Sequence, residues 1–120
     1  MQHHVRAWIA FVVGRAVLST ETIGVYDHTA KHHRTITGSL HRGSVSVFDH
    51  TRSAHFTGTG SAKQFSLFDH ERRAHVSLTI NGIQFNGYDT GEARTFSGRV
   101  NGHVVAIYDH ADATWSLFSV

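Results

Sequence analysis

The sequence predicts an all-β protein, an antiparallel meander of about 10–12 short strands closed into a barrel or barrel-like sandwich. Three observations predict it. An aromatic-Asp unit recurs as Val25-Tyr26-Asp27-His28, Val47-Phe48-Asp49-His50, Leu67-Phe68-Asp69-His70, Gly87-Tyr88-Asp89-Thr90 and Ile107-Tyr108-Asp109-His110. Apolar and polar residues alternate in the run-up to each aspartate. Asn81-Gly82 and Asn101-Gly102 stand between alternating runs, the strongest short-range signal for a two-residue type I′ hairpin turn. The aspartates are 22, 20, 20 and 20 residues apart. A period of that length marks one small supersecondary unit, used repeatedly because it cannot bury its apolar face alone.

The N-terminal region, residues 1–21, comes first in the chain. Residues 7–13 form an apolar run that follows His3, His4 and Arg6. It is short for a signal-peptide core, lacks an Ala-x-Ala site after it and is far too short to span a bilayer. A strand buried on both faces is the expectation. No sustained 3.6-residue period occurs, so no helix is expected.

Residues 22–120 then hold the five repeats, in one domain with the N-terminal region. Take each repeat aspartate as position zero. Val25, Val47, Leu67, Gly87 and Ile107 stand at minus two, and Ile23, Val45, Phe65, Phe85 and Val105 at minus four. Mostly polar or small residues separate them, beginning with Thr22 and Gly24 in the first repeat. This is the pattern of a half-buried strand whose inner face ends on the aspartate. The second arm of each repeat reads likewise, with Ile36, Phe56, Val76 and Phe96 in one register. Gly38, Gly58 and Gly98 fall on the same inner face, where a glycine marks a bend, a bulge or a close approach of backbones. Each repeat is therefore a hairpin. Its aspartate opens a loop of about five residues and caps the loop's N–H groups as an Asx-turn.

Short turns at both ends make neighbouring strands antiparallel. So wide a sheet, apolar on one face, has to close or fold over. An open hairpin stack, or solenoid, is the alternative. In a barrel the last strand pairs with one near the N-terminus.

Composition narrows the function. With 120 residues and no cysteine, the chain has no disulfide framework, thiolate site or thiol nucleophile. A formal charge of +2, evenly spread, argues against nucleic acid. Ser-His-Asp chemistry lacks a nucleophile elbow, and the glycines are spaced for turns rather than for a phosphate loop. No enzyme is expected, and in the absence of a convincing signal peptide the expected compartment is the cytoplasm.

Twelve histidines are the unusual feature. Protonated together, they would turn the molecule into a polycation near pH 6. Histidine recurs at plus one and plus six: His50 with His55, His70 with His75, and His28 with His32 or His33. Read as facing residues on opposite arms of a hairpin, each pair has Cβ atoms about 5 Å apart. That makes His28, His50, His55, His70 and His75 weak candidates for a divalent metal, lacking the third or fourth ligand of a firm site. Thr95 and Trp115 replace the plus-six histidine in the last two repeats. Calcium at Asp27, Asp49, Asp69, Asp89 and Asp109 is disfavoured, because one repeat carboxylate per loop falls short of six to eight oxygens. Turn capping is their expected role. No cofactor is otherwise expected.

Tyr26, Phe48, Phe68, Tyr88 and Tyr108 point outward by the same alternation. They form a candidate rim for a ligand or partner: a glycan, a protein or a second copy of the chain.

The Tyr/Phe-Asp hairpin unit resembles that of small bacterial proteins built of about five twenty-residue units. The resemblance runs over residues 22–120, with the Asn-Gly turns and the closing run 115–120. It implies the fold and carries no known activity. Fainter similarities are to the Tyr-Asp repeats of bacterial surface and toxin-shell proteins and to choline- or glucan-binding hairpins. The former's Gly-Arg occurs here only as Gly98-Arg99, at another place in the repeat, and the latter's Gly-Trp is missing. The expected function is thus a non-enzymatic binding or scaffolding module working through its Asp-His loops and outward aromatics. A metal- or pH-responsive histidine-rich protein and a carbohydrate-binding module are the alternatives.

Overall fold

The computed structural model describes residues 3–18, 24–41, 43–61 and 63–120. The sheet expectation holds. Ten antiparallel strands form one closed barrel: β1 (Gly24–Asp27), β2 (His32–His41), β3 (Ser44–Asp49), β4 (Ala54–Gly60), β5 (Gln64–Asp69), β6 (Ala74–Asn81), β7 (Gln84–Asp89), β8 (Arg94–Asn101), β9 (Val104–Asp109) and β10 (Thr114–Ser119). Each strand pairs with its sequence neighbours, and β1 closes the ring on β10 through Tyr26↔Ser119 and Asp27↔Phe118. Closure removes the unpaired edges that an open meander would expose. The expected first register positions Thr22 and Ile23 lie outside the described residues.

The N-terminal strand expectation is overturned. His3–Leu18 is a helix, α1. Val5 and every residue from Ala7 to Val13 are fully buried, and α1 packs against β1, β2, β8, β9 and β10. Trp8 also stacks on Phe56 of β4, so the helix fills the barrel's lumen. The physical reason lies in barrel width. About eight strands leave room for side chains alone, and a wider ring needs another filling. A helix apolar on every side has no amphipathic period and is stable only where it is enclosed.

The inner-face glycines make room inside. A methyl group at Gly98 would collide with the carbonyl oxygen of Ala106 and the ring of Phe85. The barrel wall is thinned there so that neighbouring aromatics can pack.

The Asn-Gly turns differ in type from the expectation. Asn81 still pairs with Gln84, and Asn101 with Val104. The two-residue loops are therefore Gly82-Ile83 and Gly102-His103, one residue later. Only their glycines take positive φ, 65° and 61°, the type II′ arrangement.

The helix begins at the aspartate end of the barrel. His4 Nε2 lies 3.9 Å from Glu71 in the loop after Asp69, whereas Gly14 packs against Val120 and Arg15 Nη2 donates to the Gly38 carbonyl.

Candidate functional site

Asp27, Asp49, Asp69, Asp89 and Asp109 all lie at 0% exposure, one per odd-numbered strand, at one end of the barrel. Each Oδ1 accepts the N–H two residues on: Thr29, Thr51, Glu71, Gly91 and Ala111, at 2.9–3.1 Å. This is the expected Asx-turn geometry. It brings the chain back through a residue in the left-handed region at plus four: Lys31, Ser53, Arg73, Ala93 and Ala113.

Sequence reasoning missed Arg72, which ties two of these carboxylates together. Its Nε donates to Asp69 Oδ2 at 2.5 Å, and its Nη1 and Nη2 donate to the two oxygens of Asp89 at 2.9 and 3.1 Å. Burial pushes the guanidinium pKa down, but the hydrogen bonds to Asp89 and Asp69 outweigh it and hold the group above its usual value. The unusual property of Arg72 is its reach across two hairpins, which no sequence pattern marks.

Outside the barrel at this same end runs a belt of rings. Tyr26 stands opposite His33, Phe48 opposite His55, Phe68 opposite His75, Tyr88 opposite Thr95, and Tyr108 opposite Trp115. On its other flank each aromatic meets a hydroxyl residue of the adjoining hairpin: Ser119, Thr37, Thr57, Ser77 and Ser97 respectively. The aromatics are outward, as expected. Tyr26 and Tyr88 are 37% and 40% exposed, while Phe48, Phe68 and Tyr108 are half-buried beneath neighbouring rings.

The histidine pairs are arranged differently from the expectation. His55 faces Phe48 rather than His50, and His75 faces Phe68 rather than His70. Both imidazoles of a pair touch one phenyl ring: His50 and His55 lie 4.7 and 4.5 Å from Phe48, and His70 and His75 both 4.9 Å from Phe68, centroid to centroid. The plus-one ring instead reaches the adjoining hairpin on the other side of its strand. His50 Nε2 shares a hydrogen bond with Thr37 Oγ1 at 2.8 Å, His70 with Thr57 at 2.6 Å, His110 with Ser97 at 2.8 Å, and His28 with Ser119 at 2.6 Å. Their Nε2 atoms are engaged in seams between hairpins. Among the described residues no group of three or more His, Asp or Glu is placed to hold a metal ion. The hydroxyl residues recur once per repeat, which is the signal in the sequence that marks these seams.

The fourth repeat breaks the belt. Thr90 replaces the plus-one histidine, and its Oγ1 donates to the carbonyl of His75 at 2.8 Å. With Thr95 opposite, Tyr88 has no imidazole over it and is the most exposed of the five rim aromatics. In the fifth repeat Trp115 takes the plus-six place, 5.0 Å from Tyr108 and 54% exposed.

Comparison with protein-family models, with curated proteins and with solved structures finds no match to this chain. No described helix is long and apolar enough to cross a membrane.

Proposed function

We propose that the protein is a non-enzymatic binding or scaffolding module whose working surface is the belt at the aspartate end. One observation carries the reading. The lumen, where a barrel of this width would hold a small ligand, is filled by α1, whose residues from Ala7 to Val13 are all at 0% exposure. Recognition then falls to the exterior, and the belt concentrates the molecule's outward aromatics in register around one end. Buried aspartates and Asx-turns hold its loops rigid, which lowers the entropy lost on binding. Tyr26, Tyr88 and Trp115 supply amphipathic rings of the kind enriched at binding surfaces.

The test is to probe peptide and glycan arrays with the wild-type protein and with Tyr26→Ser/Tyr88→Ser/Tyr108→Ser. Ligands retained by the wild type and lost by the triple variant support the reading. Arrays on which no ligand depends on these tyrosines contradict it.

A second reading, response to pH, rests on the imidazole–hydroxyl seams. Protonation would put positive charge on His28, His50, His70 and His110 where adjoining hairpins meet, beside His33, His55 and His75. A change of oligomer size between pH 7.5 and 5.5, abolished by His50→Gln/His70→Gln, supports this reading; a constant size contradicts it.

A further inference from the structure

The repeats are internal controls for one another. At plus ten, Thr59, Thr79 and Ser119 occupy the outward position that Arg99 holds in the fourth repeat. At plus six, His55, His75 and Thr95 correspond to Trp115. At minus three, Ser46 and Ser66 correspond to Asn86. These three departures come from β7, β8 and β10, yet they meet in one place. Arg99, Trp115 and Asn86, with Asn81, Gln84 and Ser97, line a groove of about 420 Å³ on the barrel wall.

A sister groove one repeat earlier, about 490 Å³, is lined by Thr59, Gln64, Ser66, Ser77 and Thr79. Among the described residues its lining holds neither a cation nor an indole. The two grooves thus differ in chemistry.

Three properties of the first groove restrict its occupant. No Asp or Glu lines it, and Arg99 forms no ion pair among the described residues. Its guanidinium is therefore free to take a carboxylate through two parallel N–H donors. Asn81, Gln84 and Asn86 offer planar amides that both donate and accept, which suits neighbouring hydroxyls on a ring. The indole of Trp115 offers a flat apolar face at one side, against which the C–H face of a pyranose can lie.

We propose that this groove binds an acidic saccharide, a carboxylated pyranose stacked on Trp115 with its carboxylate on Arg99 and its hydroxyls on the amides. The groove shares Trp115 and Ser97 with the belt, but Tyr26, Tyr88 and Tyr108, which the rim test replaces, do not line it, so the two readings can fail separately.

The experiment titrates the full chain with trigalacturonate, and with maltotriose as the neutral probe, following tryptophan emission and backbone amide shifts. Trp8 is buried and Trp115 exposed, so a ligand at the groove changes the emission of Trp115. Trigalacturonate is expected to bind saturably and to shift Asn86, Ser97 and Arg99, with maltotriose at least about tenfold weaker. Arg99→Thr is expected to weaken trigalacturonate about tenfold, which is about 1.4 kcal/mol, and Trp115→Thr to abolish binding. Both substitutions install the residue type that another repeat carries at that position, and an unchanged melting temperature verifies the fold. Four results overturn the proposal: no saturable response to trigalacturonate, equal affinity for maltotriose, shifts confined to the rim, or wild-type affinity in either variant.

Discussion

The indole of Trp8 lies on the ring of Phe56, with centroids 4.2 Å apart and planes 20° from parallel. One belongs to α1 and the other to β4, and both are fully buried. The contact fastens the central helix to the wall. Trp8→Ala is therefore expected to cost about 3–5 kcal/mol, as a large aromatic lost from a packed core. Trp8 Nε1 has no hydrogen-bond partner among the described residues, so Trp8→Phe, which keeps a ring, is expected to cost clearly less. Urea denaturation of the two variants checks this, and equal losses would contradict it.

Arg72 bridges two repeat aspartates, Asp69 and Asp89. Replacing it with methionine leaves Asp69 and Asp89 buried and short of a cation. The expected cost is about 3–5 kcal/mol, the range for removing one partner of a buried ion pair. Arg72→Lys is expected to recover only part of this, because an ammonium cannot reproduce the fork that reaches three carboxylate oxygens. Chemical denaturation measures both, and full recovery by lysine would argue against the bidentate contact.

Ala93 and Ala113 sit at φ 53° in the loops after Asp89 and Asp109. A left-handed conformation strains an alanine but not a glycine, by roughly 1 kcal/mol. Ala93→Gly and Ala113→Gly are each expected to raise stability by up to about 1 kcal/mol, less the entropy that glycine adds to the unfolded chain. The reverse holds on the wall. Gly98→Ala is expected to destabilise by about 1–3 kcal/mol through overpacking. Thermal melts would refute this account if the loop glycines lowered the melting temperature or if Gly98→Ala left it unchanged.

His4 is buried at the start of α1, and burial holds its pKa below the ordinary value. The charge of Arg52 acts in the same direction, with a smaller contribution from Arg72, while Glu71 and Asp69 partly offset them. The unfolded chain therefore binds this proton more readily than the folded one. Stability from this group is present above about pH 6.5 and is lost as pH falls from there through the folded pKa. His4→Gln removes this dependence. The stability difference between variant and wild type is expected to shift in the variant's favour between pH 7.5 and 5.5. A difference constant across that range would contradict the assignment.

The strands were legible because each hairpin is local: Val45, Val47 and Asp49 alternate with Ser46 and Phe48, and the structure buries that first set. The helix was not legible, and the reason is physical. Around Trp8, Ile9, Phe11 and Val12 the apolar residues occupy every side of α1, so the 3.6-residue period disappears, and the valines and isoleucine read as strand formers. The inner-face glycines Gly38, Gly58 and Gly98 held the missing clue. A wall that withdraws its own side chains needs something else inside. At the rim, counting from the aspartate correctly turned His50 and His55 outward. The partner of each depends instead on pairing between strands. Register sets His55 against Phe48 and leaves His50 to Thr37, a residue of the preceding repeat.

The chain fills its barrel with its own helix, the feature on which the proposed outer binding surface rests. A nuclear Overhauser experiment on the folded protein tests it most directly. The account predicts helical amide-to-amide contacts through His3–Leu18, cross-peaks between the Trp8 indole and the Phe56 ring, and β1–β10 contacts between Tyr26 and Ser119. Extended-chain contacts between residues 5–13 and β10, with no Trp8–Phe56 cross-peak, would contradict it and return the N-terminal segment to the sheet.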